Sequence, residues 1–236
     1  MKTYGQFCSI ARALDLLGER WTLLIVRELL CGSSRFGDLR RGLPRISRTM
    51  LAARLRELLD ARVIQRQEPG PRYRLTEAGV ELAAAIRELG AWGQRWLPRD
   101  LPAEELDADA LVWDMQRQVN LEALPSSPVL ARIDFSTSDR RAGTRYLLLR
   151  RTEVSLCAVN PGFPESLRIR APLRALVGWW RGDFSFADAR HAGLVVDGRR
   201  EWVRAFPGWF RKYAFAAVLP ARRRYGLRTS PGRAAN

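Results

Sequence analysis

Lysine is nearly missing from this 236-residue chain: apart from Lys2 and Lys212, all of its 40 basic residues are arginine. Cysteine is scarce too. Cys8, Cys31 and Cys157 are an odd, widely spaced set, which excludes a disulfide framework. The single histidine, His191, has no cysteine at ligand spacing, so no metal site is expected. The longest apolar runs, such as Trp21–Val26, are far too short to cross a bilayer. The opening MKTYGQFCSIARALDL lacks the apolar core and cleavage site of a signal peptide. These absences predict a soluble cytoplasmic protein without membrane contact. There is no G-x-S-x-G, no phosphate loop and no H-E-x-x-H. Asp183, Asp188 and His191 lie close in sequence with no nucleophile to complete a site. No catalytic residue and no cofactor are expected.

What is present is a core and a charge. Hydrophobic residues make up 47% of the chain, enough for a folded interior, and the formal net charge is +15. Arginine is always protonated, and its fork of donors suits phosphates and guanine edges. A polyanionic partner follows, although GC-rich coding also raises arginine content.

The first hundred residues read as helices followed by a hairpin. Ser9–Leu17 places Ile10, Leu14 and Leu17 on one face and stops at Gly18. Trp21–Leu30 is apolar over most of its surface, and Arg35–Gly42 forms a short third helix before Pro44. Ser47 stands as N-cap of a fourth helix, in which Leu51, Leu55, Leu58 and Leu59 share one arc. Val63–Glu68 and Arg72–Leu75 are β-prone and joined by Pro69-Gly70-Pro71. Thr76 opens a long helix to about Trp96. That order is the order of a winged helix–turn–helix, with a core expected from Ile10, Leu14, Trp21, Leu24, Ile25, Leu51, Leu55 and Leu58.

Charge follows the same elements. Residues 1–100 carry net +7, from 18 basic and 11 acidic side chains, and residues 35–74 alone also carry net +7. A charge run is often just a solvated face. Its concentration on the third helix, the recognition helix and the hairpin points instead to a DNA groove.

After an acidic, proline-rich stretch at Pro98–Asp109, the pattern becomes mixed. Strands are expected at Val129–Phe135, Tyr146–Arg151, Val154–Val159, Leu167–Ala171 and Leu194–Val196. Helices are expected at Leu111–Val119, Pro172–Trp180, Phe184–Ala192 and Glu201–Phe215. The basic segment from Arg222 reads as a disordered tail.

The first half, from Cys8 to about Trp96, resembles the HxlR family of bacterial winged-helix transcriptional regulators. The residues that carry the resemblance are Gly18, Trp21-Thr22, Arg27-Glu28-Leu29, Arg35-Phe36, Leu39, Ile46-Ser47, Leu51, Arg54-Leu55 and Leu75-Thr76-Glu77. It implies a homodimer paired through the N-terminal segment and the long helix, bound to a two-fold symmetric double-stranded DNA operator. The second half, over about residues 105–218, resembles sterol-carrier-protein-like domains through RYLLLRRTEVSLCAVNPG, LRIRAPLRALVGWWRGDFSFADA and GLVVDG. The implied fold class is α+β. A winged helix at 1–98 and a linker at 99–109 precede a mixed five-stranded sheet with helices at 110–220, and a tail occupies 221–236.

Residues can then be assigned. Ser47 leaves a helix amino end for a phosphate. Arg48, Thr49, Ala52, Ala53 and Arg56 face base edges or groove wall, while Arg54 takes a phosphate or structural role. Arg40, Arg41, Arg66, Arg72 and Arg74 complete the DNA-binding set. The polar pair common in the family is replaced here by Ala52-Ala53, which leaves fewer donors for direct readout. Leu82, Ile86, Leu89, Trp92 and Trp96 form a stripe that fits a two-fold partner better than the module's own core. Cys8 is either a redox-responsive thiolate near a helix amino end or a small buried apolar residue. Cys31 and Cys157 read as core thiols. In the second half Trp113, Trp179, Trp180, Phe184, Trp202, Trp209 and Phe210 are candidates to line a tunnel for an apolar small-molecule effector. The alternative is a hydrophobic-ligand carrier that uses the winged helix as a dimerisation scaffold.

Overall fold

The computed structural model describes residues 3–136 and 143–221; the expected tail from Arg222 lies outside the described residues. Helix α1 (Ser9–Leu17) follows Cys8 and is closed at Gly18, whose N–H donates to Leu14 O. Helices α2 (Thr22–Leu30), α3 (Phe36–Gly42) and α4 (Arg48–Asp60) follow. Strands β1 (Ile64–Gln67) and β2 (Arg72–Leu75) pair antiparallel, with Ile64 opposite Leu75 and Gln67 opposite Arg72. Tyr73 N donates to Ser34 O at 2.7 Å, and Arg35 bridges Arg72, so the hairpin is sewn to the segment that opens α3. Helix α5 (Glu77–Trp96) starts at Thr76, whose Oγ1 accepts from Gly79 N and donates to Arg62 O and Val63 O.

Ile25, Val26, Leu39, Leu51, Leu55, Leu58 and Ile64 form the interior of this half. Burying each such side chain contributes roughly 1.5–3 kcal/mol before entropy is counted. Ile10, Leu14 and Leu24, expected there, face outward instead, and Ile10 is 71% exposed. Helix α1 fully buries only Ala11 and packs on the core through Leu16, which leaves Ile10 and Leu14 on its outer side.

The second half opens at α6 (Ala108–Arg117), three residues earlier than the apolar pattern indicates, because Asp107 Oδ1 accepts from Ala110 N at 2.9 Å and caps it. Strands β3 (Val129–Phe135), β4 (Thr144–Leu149), β5 (Val154–Cys157), β6 (Glu165–Ala171) and β7 (Val195–Gly198) form one sheet in the order β5-β4-β3-β6-β7. β3 and β6 run parallel and the remaining pairs are antiparallel. Helices α7 (Leu173–Arg181), α8 (Phe186–His191) and α9 (Arg200–Ala205) accompany the sheet. The terminal helix expected over Glu201–Phe215 ends at Ala205 and passes into one 3₁₀ turn, Phe206–Trp209. Pro207 has no N–H to donate and Gly208 adds backbone freedom, so an α-helix cannot be carried through them.

The halves are fastened to each other. In the stretch read as a linker, Arg99 Nη1 pairs with Asp183 Oδ1 at 2.9 Å, and its Nη2 donates to Val218 O at 2.6 Å. Helix α5 is shared between three surroundings, spaced around it at about 100° per residue. Leu82 and Ile86 pack on the winged-helix core. Gly90 and Gln94 meet the second half: a Cβ on Gly90 would collide with the Phe215 ring, and Gln94 exchanges hydrogen bonds with Arg181. Leu89, Trp92 and Trp96 stay exposed.

Candidate nucleic-acid interface

Ser47 is extended at φ −70°, ψ 153°, and its Oγ accepts from Met50 N at 3.1 Å, which fixes the start of α4. From there the helix has two sides. Leu51, Leu55 and Leu58 are buried, while Arg48, Thr49, Ala52 and Arg56 are exposed within an arc of about 100°. Ala53 sits at the edge of that arc, half-buried. β1 packs on α4, so the hairpin stands beside this surface. Its register puts Arg72 and Arg74 on one face and Arg66, opposite Tyr73, on the other. With the Gln65 amide turned, its oxygen accepts from Arg74 Nε and Nη2 across the ribbon.

The decisive property is what these arginines lack. Among the described residues Arg48, Arg56, Arg66 and Arg72 have no carboxylate, carbonyl or ring against their guanidinium groups, and the half-buried Arg40 has none either. Arg35 and Arg45, not singled out from the sequence, are exposed and equally without partners. The only signal for them was their place inside the basic stretch 35–74. On the sheet of the second half the opposite holds. Arg132 and Arg168 both pair with Asp134, and Arg170 pairs with Asp197.

Two members of the expected set have partners of their own. Arg54 is turned away from the exposed arc with 12% of its side chain accessible; Nη2 pairs with Glu19 at 2.6 Å, Nη1 with Glu57 at 2.5 Å, and Nε donates to Arg20 O. It holds α4 to the turn before α2, the structural half of its expected role, and cannot also hold a phosphate. Arg41 lies over the Trp113 ring at 5.3 Å and 3.7 Å from Asp38. That contact touches the second half, but the Arg41 side chain stays 66% exposed and its charge remains open to solvent.

Most aromatic candidates of the second half are close-packed on other rings or under arginines, while Trp180 and Phe184 also border open space. Trp179 stacks on Phe206 at 5.8 Å and meets Phe210 edge-on at 6.1 Å, and Trp209 meets Phe206 at 6.1 Å. Trp113 is a platform between Arg41 and Arg117, and Trp202 lies under Arg199. Phe184 lies against Gly178, where a Cβ would strike its ring. Trp180 alone of this group donates its Nε1–H to a carboxylate, Asp114 Oδ2 at 2.8 Å.

That bond belongs to a network the sequence did not reveal. Glu28, 1% exposed, accepts from Arg27 at 2.6 Å, from Ser33 Oγ at 3.1 Å and from Arg117 of α6 at 2.8 Å. Arg117 also reaches Asp114 at 3.2 Å. The carboxylate of Glu28 is seated so tightly on the end of α3 that a Cβ at Gly42 would fall inside it. The Arg27-Glu28 motif thus links α2, α3 and the second half.

The thiols separate by environment. Cys8 is exposed, and backbone N–H groups of Ala11 and then Ile10 hold its thiol below the ordinary range, so more of it is thiolate near neutral pH. Cys31, expected in the core, is exposed; partial burial nevertheless pushes its thiol up, against the pull of Arg117. Cys157 is half-buried. Among the described residues no helix is long and apolar enough to cross a membrane.

Comparison with known proteins covers the first half. The HxlR-like helix-turn-helix family matches residues 16–101. The uncharacterized HTH-type transcriptional regulator Rv3095 of Mycobacterium tuberculosis is 50% identical over 96 residues, which are 39% of this chain and 60% of that protein. This chain therefore spans less than two thirds of that relative's length. The HTH-type transcriptional regulator YodB of Bacillus subtilis is 39% identical over 99 residues, 39% of this chain and 88% of YodB. The solved structure of reduced YodB covers 38% of this chain and 93% of its own, at 37% identity and a TM-score of 0.34. With a relative matched over nearly its whole length at this identity, and the helix–turn–helix and hairpin in place, the chain belongs to the HxlR family.

Proposed function

We propose that this protein is a homodimeric transcriptional regulator that lays α4 in the major groove of a double-stranded operator and sets its hairpin against the flanking backbone. The observation that carries the reading is that arginines without a charge partner line the exposed arc of α4 and the hairpin beside it, whereas those on the sheet of the second half are ion-paired. An unneutralised guanidinium cluster costs self-repulsion in the free protein, which a phosphate backbone relieves. Operator affinity, measured on DNA from upstream of the protein's own coding sequence, should fall by about 10³–10⁵ between 50 and 200 mM salt if the dimer neutralises 6–10 phosphates. An affinity flat in salt would overturn the proposal.

Pairing of two copies is supported by apolar side chains left in water on the helices implicated by the family resemblance. Phe7, Ile10 and Leu14 are exposed at α1, and Leu89, Trp92 and Trp96 on α5. A monomeric protein seldom leaves so many large apolar groups uncovered. Sedimentation at micromolar concentration should give a dimer, and Leu89→Glu with Trp92→Glu a folded monomer. A wild-type monomer would refute the pairing.

For the second half we propose a sterol-carrier-like domain that senses an apolar molecule. Its five-stranded sheet with flanking helices supports this. A redox-responsive role for Cys8 is supported by the exposure and lowered pKa of its thiol.

A further inference from the structure

We infer that the effector site of this protein is the cleft between its two halves, and that its ligand is a flat, apolar molecule bearing one anionic group. The inference rests on the regulator reading for the ligand's purpose, but not for its binding. Most of the aromatic residues expected to line a tunnel fill their own space: Trp179 and Trp209 are fully buried, and each meets the Phe206 ring. Space exists elsewhere. A cleft of about 610 Å³ opens between α2 and α5 on one side and α6, α7 and residues 213–215 on the other. That volume falls in the range of about 300–1,000 Å³ usual for small-molecule pockets.

Its walls define the ligand. Leu30 and Ile86 face Leu111, Val177, Trp180 and Phe215, an apolar slot with an indole in one wall. At its polar end the carboxylates are already saturated. Glu28 takes donors from Arg27, Ser33 and Arg117, and Asp114 takes Arg117 and the Trp180 indole. Donors are left over. Arg87 of α5, exposed on the cleft wall, has no partner among the described residues. An unpaired guanidinium beside an apolar wall favours a ligand that brings an acceptor-bearing, negatively charged group to it. The exposed Glu105 at the rim disfavours a second anionic group there.

The test uses the full chain and two dyes, anilinonaphthalene sulfonate as the apolar anion and Nile red as the neutral control. The sulfonate should bind saturably, one per chain. Ala83→Trp, which fills the slot from α5, should weaken both dyes at least tenfold. Arg87→Gln should weaken the sulfonate about tenfold, as for loss of one charge-assisted contact, and leave Nile red within twofold. Val159→Ser, at an exposed apolar position outside the cleft, should change neither. Unchanged sulfonate binding in Ala83→Trp, or equal weakening of both dyes by Arg87→Gln, overturns the inference. Should Ala83→Trp fail to fold, Arg87→Gln at its exposed position decides alone. A chain that shifts operator DNA yet binds no sulfonate loses this inference only. One that binds the sulfonate in the cleft but no DNA loses the regulator reading instead.

Discussion

Operator DNA will no longer be shifted specifically when Arg48 and Arg56 are both replaced by alanine. Each base or phosphate contact of this kind is worth about 1–3 kcal/mol, so the pair accounts for roughly 30-fold to 10⁴-fold in affinity. Both side chains are exposed and make no hydrogen bond, ion pair or ring contact among the described residues, so the thermal midpoint should stay where it is. That separation makes the experiment informative, because a lost shift with an intact fold can come only from the surface. Arg54→Ala should behave in the reverse way. It breaks the bridge to Glu19 and Glu57 and lowers stability, with DNA binding following only as the fold loosens. A carrier protein with a vestigial winged helix would lose nothing in the double variant, and a full-strength shift would sink the residue assignment.

The second large effect is at Glu28. Replacing it by alanine strips acceptors from Arg27, Ser33 and Arg117 in a site that is nearly closed to water. Removing one partner of a buried pair costs about 3–5 kcal/mol; the lower end applies here because Arg27 is more than a third exposed and can rehydrate. At about 2–4 °C per kcal/mol for a chain of this size, the unfolding midpoint should drop by roughly 6–12 °C. Adding Arg117→Ala to Glu28→Ala should then cost less than Arg117→Ala does alone, since the charge it removes is already unpaired. Additive losses in calorimetry would show that the two side chains do not act together. Because the carboxylate also seats the end of α3 at Gly42, a weakened Glu28 should loosen the helix that precedes the recognition helix. The ion pair is thus a physical connection between the second half and the winged-helix half.

Local chemistry made much of this legible in advance. Ser47, Thr76 and Gly18 act through bonds to residues three or four positions away, so a reader of the chain can place the ends of α1, α4 and α5. The two-residue rhythm of Val129–Phe135 and the apolar rhythm of α7 are likewise local. The terminal helix expected over Glu201–Phe215 is cut short at Ala205 by Pro207, a breaker that is itself local. The long-range partnerships were different. Glu19 meets Arg54 across 35 positions, and Arg117 meets Glu28 across 89. No periodicity encodes either distance.

By itself, then, the order of amino acids determined the winged helix, the five-stranded α+β half and the concentration of arginine around one helix and one hairpin. Those properties follow from backbone preference and from burial summed over neighbours in sequence. Tertiary structure alone decided which guanidinium groups are free for phosphate and which are consumed, that Ile10 and Leu14 lie outside the core, and that the open space lies between the halves and not within the tryptophan cluster. The physical reason is that a charge is neutralised, and a cavity enclosed, by whatever the fold brings near, and nearness in space is set only once distant segments have packed.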